Sequence, residues 1–287
     1  MKFRSVTTAL IMITTIVVIM SGMVRSVDVA RRSAHVVVPD AVALEVVYQS
    51  LSSSVDIAVL TGGIAPPVVY TNMVSLAELP STQRKTKFFE MMLPSVLIAK
   101  HQLAELRREI KRVSALPAPD PEEQAWLEGL MSRYRVEDTA RLLHRLQDHP
   151  NSIVLAQAAI ESGWGSSRFF REGLNAFGGW SYDPSEPRLA AGLAREDSKV
   201  YVKKYESILG SVQDYFVTIG RGPYTDFREA RTQTRDPMAL VAYLVRYSEL
   251  GDQYVNRVEQ VIRSNDLLQY DEYHLEGDEY EAAENSM

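Results

Sequence analysis

The chain has 287 residues, of which 46% are hydrophobic, and this is enough for one sizeable globular core with extensions. Its formal net charge is −6, but the segment from Asp271 to Met287 holds seven acids and no lysine or arginine, so the rest of the chain carries only +1. The concentrated basic face of a nucleic-acid-binding protein is therefore not expected. The absence of cysteine excludes disulfides, thiol nucleophiles and cysteine-ligated metals.

The first residues predict export across a membrane. Lys2 and Arg4 precede an uncharged and mostly apolar run from Val6 to Val24. This run is close to the roughly 18–20 residues that cross a bilayer as a helix. A positive start before such a run is typical of a secretory signal or of a single membrane anchor. We therefore expect residues 1–26 to direct the chain to the periplasm, as a cleaved signal or as an inner-membrane anchor facing the periplasm.

Residues 27–118 are expected to form an N-terminal region that is first extended and then helical. The stretch from His35 to Tyr70 is rich in valine and contains turn residues such as Gly62-Gly63, which indicates short strands or an extended connector. From Lys85 to Val113 apolar residues recur at intervals of three and four, which predicts a helix. Pro94 lies inside this run and is expected to kink or divide the helix.

The second half is predicted to be mainly helical with a small β element, an α+β fold in which helices dominate. Alternating residues from Ser198 to Tyr205 are the best candidate for a strand. The acidic residues 269–287 are expected to form a disordered tail. Apolar periodicity favours helices over Glu122–Tyr134, Val136–Leu146, Ile208–Ile219, Pro237–Tyr247 and Tyr254–Ser264.

The segment that follows Pro150 predicts a buried helix with one acid near its end. Asn151 or Ser152 is expected to cap the start of this helix, and Gly163 is expected to end it. Only Gln157 and Glu161 interrupt its apolar surface, and residues four apart lie on one face. A buried helix with a single polar line that ends in a carboxyl group requires an explanation.

Two interpretations of Glu161 are open from the spacing alone. Burial and the negative end of the helix dipole both raise the pKa of a carboxyl group at this position. A raised pKa is what a sugar-cleaving general acid needs, because the acid must hold a proton at neutral pH. The alternative is a structural ion pair with a nearby arginine such as Arg168 or Arg171.

Several segments resemble the signature of the peptidoglycan glucosaminidase family, whose domains are similar to mannosyl-glycoprotein endo-beta-N-acetylglucosaminidases. The resemblance extends to the Bax-like branch of the family and covers about residues 85–267. It implies a lysozyme-like catalytic domain over the predicted segment 119–268, cleavage of β-1,4 bonds after N-acetylglucosamine, and Glu161 as the catalytic acid. The motifs that carry it are Leu155-Ala156-Gln157-Ala158-Ala159-Ile160-Glu161-Ser162-Gly163-Trp164-Gly165, Asn175-Ala176-Phe177-Gly178, and the flanking Phe88-Phe89, Ser167-Arg168-Phe169 and Gly178-Gly179-Trp180.

The resemblance also indicates which residues meet the substrate. Tyr247 matches the position of a cleft tyrosine of the family and is expected to act beside Glu161, where its hydroxyl can orient the acetamido group of the sugar. Aromatic side chains just after the motif can stack on a sugar face or pack in the core. The predicted substrate-binding residues are Gln157, Ser162, Trp164, Asn175, Phe177, Gly178, Trp180 and Tyr224.

A second carboxylate is harder to assign. Glycoside hydrolysis by two carboxylates places the partner roughly 5–9.5 Å from the acid. The family has its second acid in the β region, so Glu196 is predicted here, with Asp197 beside it and Glu172 and Asp183 as further candidates. Participation by the acetamido group of the substrate is an alternative that needs only one protein acid.

The sequence therefore predicts an exported hydrolase that acts on peptidoglycan strands. No metal or other cofactor is expected, because the five histidines are scattered and form no ligand motif. A lytic transglycosylase shares the Glu-Ser pair, but such enzymes usually continue with Gly-Leu-Met-Gln where this chain has Asn175-Ala176-Phe177-Gly178. A catalytically silent glycan-binding protein of the envelope is the alternative from another class.

Overall fold

The structure, a computed structural model, describes residues 44–191 and 200–278 of the chain. The predicted export segment Val6–Val24 and the candidate acids Glu196 and Asp197 lie outside the described residues. Among the helices of the two described ranges, none combines the length and the apolar character that a membrane span requires.

Helices make up most of the described chain, as predicted for a mainly helical α+β fold. Short 3₁₀ helices lie at Ser54–Asp56, Ala242–Leu244 and Leu267–Glu272. The α-helices of the described residues are α1 Ser81–Ser114, α2 Pro121–Tyr134, α3 Thr139–Arg145, α4 Asn151–Ser162, α5 Arg168–Gly173, α6 Ile208–Arg221, α7 Thr225–Gln233, α8 Pro237–Val241 and α9 Asp252–Ser264.

The strands of the described residues form three small two-stranded sheets. The strands are β1 Val47–Gln49, β2 Ile64–Ala65, β3 Val68–Tyr70, β4 Arg188–Ala190, β5 Tyr201–Lys203 and β6 His274–Leu275. Strand β1 pairs with β3 in parallel, β2 pairs with β6 in parallel, and β4 pairs with β5 antiparallel. The predicted strand between Ser198 and Tyr205 is thus present as β5, and its partner β4 was not predicted.

Helix α1 is the central helix of the core. It runs for 34 residues with Pro94 inside it, so Pro94 does not divide the helix, which was one of the two effects predicted for this residue. All of its residues from Phe88 to Ala99 are buried. A single hydrophobic cluster joins side chains of β3 and α1 to those of α4, α6 and α9. The region before residue 119 therefore shares its core with the segment that carries the acid motif.

The segment 269–278 is packed against the domain, so the prediction of a disordered tail is wrong for these residues. Tyr270 and Leu275 are buried, and β6 lies beside β2. The Ser152 N–H donates to Asp271 Oδ1 over 2.8 Å, and the Ser152 hydroxyl donates to Asp271 Oδ2 over 2.6 Å. The prediction rested on the number of acidic residues and overlooked the apolar side chains of Tyr270 and Leu275, which are buried. It also did not foresee that the Asp271 carboxylate stabilises the N-terminus of a helix.

Candidate active site

Helix α4 carries Glu161 in its last turn. Every residue from Asn151 to Ala159 is buried, and Gly163 ends the helix with a left-handed φ of 57°, as predicted. The predicted cap by a side chain of Asn151 or Ser152 is absent, because the N-cap position is Pro150. Asp271 supplies the cap instead through its two bonds to Ser152. The helix is therefore fixed at the end opposite Glu161 by a residue from the end of the described chain.

The carboxyl group of Glu161 lies in a low-dielectric environment next to one hydroxyl group. Burial raises the pKa of Glu161, while a hydrogen bond from the Tyr254 hydroxyl and the charge of Arg257 lower it by less. The alternative of an ion pair with Arg168 or Arg171 does not hold among the described residues, because neither arginine acts on the pKa of Glu161 and Arg168 Nη1 binds Glu172 Oε2 over 3.1 Å. Since the raised pKa favours the protonated form, Glu161 can hold a proton nearer to neutral pH than an exposed glutamate.

Tyrosine rings cluster around Glu161. Tyr247 stacks on Tyr254 with ring centroids 5.3 Å apart, and Tyr224 lies 5.8 Å from Tyr247. Burial raises the pKa of Tyr247 and of Tyr224, and the charge of Glu161 adds to both shifts. The structure therefore brings the predicted residues Tyr247 and Tyr224 together with Glu161 and keeps their hydroxyls protonated.

The turn after α5 carries the aromatic side chain of Phe177 and is held by hydrogen bonds of Asn175. Phe177 is partly buried and stacks on Tyr215 with a centroid distance of 4.3 Å. Gly178 adopts a φ of +67°, which favours glycine over residues that carry a Cβ. The buried Asn175 amide donates to the carbonyls of Gly179 and Lys203 and accepts from the Gly179 N–H. Asn175 therefore holds the turn in place, which corrects the prediction that it contacts substrate.

Packing corrects two further predictions of substrate contact, those for Gln157 and Ser162, whereas the one for Trp164 stays a prediction. Gln157 is fully buried, and both ends of its amide are bound to tyrosine hydroxyls. Ser162 is fully buried, and its hydroxyl donates to the Ala158 carbonyl and accepts from the Gly165 N–H. Trp164 packs edge-on against Phe88 and Phe89 of α1, with Lys85 above its ring. The Gln157 and Ser162 side chains therefore lie within the core, whereas Trp164 is only partly buried at its edge.

Trp180 is the predicted aromatic residue that keeps an open face. It is 55% exposed, it forms a bridge to Val202 of β5, and its ring lies 6.3 Å from that of the exposed Tyr182. An exposed aromatic pair next to a polar turn is a surface on which a sugar ring can stack.

The described residues place no second carboxylate against Glu161. The groups that act on the pKa of Glu161 there are Tyr254 and Arg257. Glu172 is paired with Arg168, and Asp183 accepts hydrogen bonds from the backbone and hydroxyl of Ser185. Glu196 and Asp197 lie between β4 and β5, outside the described residues.

Sequence reasoning missed the groups behind Glu161. Tyr215 and Tyr254 lie in segments predicted to be helical, and His149 is one of five scattered histidines. None of the three is among the predicted site residues. The structure buries all three in the core and links them by hydrogen bonds to Gln157. A buried tyrosine requires a hydrogen-bond partner for its hydroxyl. Tyrosines on the apolar faces of predicted helices therefore indicate a polar partner in the core, such as Gln157.

A partly buried carboxyl group beneath tyrosines suits the general acid of a glycoside hydrolase, and comparison with known proteins confirms that class. Residues 137–267 match the family model of mannosyl-glycoprotein endo-beta-N-acetylglucosaminidases. This segment, which contains the whole motif around Glu161, belongs to the glucosaminidase family. The family predicted from the sequence is thereby confirmed.

Two curated relatives and one solved structure illustrate the range of similarity. Protein bax of Escherichia coli is 27% identical over 214 residues, which are 69% of this chain and 76% of that protein. Peptidoglycan hydrolase FlgJ of Salmonella typhimurium is 30% identical over 140 residues, and the match covers 44% of each chain. The catalytic domain of the autolysin Auto from Listeria monocytogenes is 23% identical with a TM-score of 0.38, over 58% of this chain and 97% of that one.

Proposed function

We propose that this chain is an exported endo-β-N-acetylglucosaminidase that hydrolyses β-1,4 bonds of peptidoglycan with Glu161 as the general acid. The observation that carries the proposal is the environment of Glu161: a carboxyl group with a raised pKa, bound to Tyr254 and surrounded by tyrosines, within the glucosaminidase segment. The relative FlgJ is named a peptidoglycan hydrolase, which supports the same substrate class here. That substrate lies outside the cytoplasm, in agreement with the predicted export segment.

The proposed reaction follows from these positions. Glu161 donates its proton to the glycosidic oxygen while the bond from that oxygen to C1 breaks, and an oxocarbenium-like transition state develops on the sugar. Water then adds to C1, and the proton that it releases returns, directly or through solvent, to the Glu161 carboxylate and restores the acid. In this mechanism the Tyr247 hydroxyl orients the acetamido group, with Tyr224 beside it. Phe177, Gly178 and Trp180 border the substrate, and Trp180 offers an exposed ring to a sugar face.

Product analysis on purified peptidoglycan tests the proposal. We expect the purified full chain to release fragments with a reducing N-acetylglucosamine end, which mass spectrometry after borohydride reduction identifies. Fragments with an anhydro-muramyl end would assign a lytic transglycosylase instead. Binding to the glycan without any cleavage would assign a silent binding protein, and either result would overturn the hydrolase.

Glu196 is proposed as the second carboxylate, and its neighbour Asp197 offers a matched control. Glu196→Gln is expected to lower the cleavage rate about tenfold or more, because it removes the group that stabilises the transition state or activates water. Asp197→Asn removes the same charge one residue away and is expected to leave the rate near that of the wild type. Rates near the wild type for both variants would contradict the assignment and favour participation by the acetamido group of the substrate.

A further inference from the structure

A chain of hydrogen bonds leads from the interior of the domain to Glu161. His149 Nε2 lies 2.7 Å from the Tyr215 hydroxyl, and that hydroxyl donates to Gln157 Oε1 over 2.7 Å. Gln157 Nε2 donates to the Tyr254 hydroxyl over 3.1 Å, and Tyr254 in turn binds the Glu161 carboxyl group. Five side chains of three helices and one loop are thus linked in a single line.

The line has a defined direction. The Tyr215 hydroxyl donates its proton to Gln157 Oε1, so in its contact with His149 it can only accept. His149 Nε2 must therefore carry a proton and donate it to the Tyr215 oxygen. Gln157 donates to the oxygen of Tyr254, so the proton of Tyr254 is left for Glu161. Every donor in the line therefore points toward the carboxyl group.

The protonation state of His149 agrees with this direction. Its ring is fully buried against Phe216 and Phe227, and burial lowers its pKa well below the ordinary value, which keeps the ring neutral. Among the described residues its Nδ1 has no hydrogen-bond partner, as expected of the nitrogen without a proton. The tautomer that the line requires is therefore also the one that leaves no N–H unpaired in the core.

Packing alone does not account for these groups. His149, Gln157, Tyr215 and Tyr254 are at most 3% exposed and lie among apolar side chains, where unpaired polar groups are costly. Hydrophobic residues of similar size would fill the same space without that cost. Within the described residues the line of hydrogen bonds begins at the fully buried His149 and ends at Glu161, the group that the proposed reaction uses.

We propose that His149, Tyr215 and Gln157 are positioning residues, which act through Tyr254 to keep the acidic proton of Glu161 on the carboxyl oxygen that faces the substrate. Because Tyr254 donates to one oxygen of the carboxyl group, that oxygen is the acceptor and the proton occupies the other. Gln157 fixes the direction of Tyr254, and Tyr215 with His149 fixes the amide of Gln157. This inference rests on the proposed role of Glu161 as the acid.

The variant Tyr215→Phe tests the line at its centre. It keeps the ring that packs against Phe177 and removes only the donor to Gln157 Oε1. Without this donor the Gln157 amide is free to turn its oxygen toward Tyr254. That oxygen then competes with Glu161 for the Tyr254 proton, and Glu161 loses its donor. We expect kcat to fall about threefold to tenfold, the equivalent of one hydrogen bond, with KM unchanged.

The pH profile separates positioning from a loss of stability. The Tyr254 hydrogen bond lowers the pKa of Glu161, so its weakening raises that pKa. The rate of an acid catalyst falls as pH rises through its pKa, so the alkaline limb of the Tyr215→Phe profile is expected to move to higher pH. The variant leaves unchanged the described titratable groups that face Glu161, which are Tyr224, Tyr247, Tyr254 and Arg257.

Two further variants complete the experiment. Tyr70→Phe is the matched control, because it removes a buried hydroxyl whose hydrogen-bond partner among the described residues is the Ala58 N–H, at 2.9 Å. This variant should leave kcat and the alkaline limb unchanged. Gln157→Met breaks the same line, so the double variant with Tyr215→Phe should be no slower than Gln157→Met alone. Melting temperatures of all variants identify a temperature at which each is folded.

A direct titration distinguishes failure of this inference from failure of the proposed function. The pKa of Glu161 is read from its side-chain carboxyl carbon by NMR, with Glu161→Gln used to assign the signal, and it should be higher in Tyr215→Phe than in the wild type. An active Glu161→Gln variant would overturn the proposed function. An inactive Glu161→Gln variant together with an unchanged titration and pH profile in Tyr215→Phe would overturn only the hydrogen-bond line.

Discussion

Replacement of Glu161 by glutamine is expected to reduce the rate of peptidoglycan cleavage by about 10²–10⁴, the usual contribution of general acid–base catalysis. Glutamine has the shape of glutamate, and its amide oxygen can still accept the hydrogen bond from Tyr254. It lacks an acidic proton, so the leaving oxygen would depart as an alkoxide. Glycan binding and the fold are expected to persist, because neither depends on the charge of this residue.

The measurement compares initial rates on purified peptidoglycan for the wild type, Glu161→Gln and a control. Glu137→Gln is a suitable control, because the Glu137 side chain is 92% exposed at the start of the family segment and should tolerate the loss of its charge. A Glu161→Gln variant that keeps more than about a hundredth of the wild-type rate would remove Glu161 from the acid role.

Deletion of residues 271–287 is expected to have the largest effect on stability. It removes Asp271 from the N-terminus of α4, it removes the buried Leu275, and it leaves β2 without its partner β6. A lost cap and a lost buried leucine together cost at least about 3 kcal/mol. For a domain of this size the melting temperature should fall by about 6–12 °C.

A second truncation provides the control for this deletion. Deletion of residues 279–287 removes three of the acids and keeps every described contact of Asp271, Leu275 and β6, so the melting temperature should stay within a few degrees of the wild type. Calorimetry of the two truncated chains beside the full chain gives the comparison. Equal melting temperatures for all three would show that the packed segment contributes nothing to stability.

The helices, and the position of Glu161 as the single acid of α4, could be predicted from the sequence because both depend on neighbouring residues. The apolar period from Lys85 to Val113 predicts α1, and the structure extends it only to Ser81–Ser114. Gly163 was correctly predicted to end α4, since a left-handed residue there favours glycine. The single acid of an apolar helix also follows from the order of residues alone. These features need no knowledge of distant neighbours.

The features that were missed depend on partners far away in the chain. Ser152 and Asp271 are 119 residues apart, and no local pattern connects an acidic segment with the N-terminus of a buried helix. Gln157 was predicted to bind substrate as part of the motif that resembles the family, whereas the distant residues Tyr215 and Tyr254 bind both ends of its amide. Short strands such as β2 and β6 have two residues each, too few for a period to be recognised.

The cap on α4 also fixes when the fold can be completed. A ribosome releases α4 well before Asp271, since 119 residues separate the two partners of the cap. Until then the first turn of α4 has unpaired N–H groups, although the whole motif around Glu161 has already been synthesised. A premature stop codon before residue 271 would therefore yield a protein with every motif residue but without the Asp271 cap on α4. The motif and the cap of its helix are thus synthesised at different times.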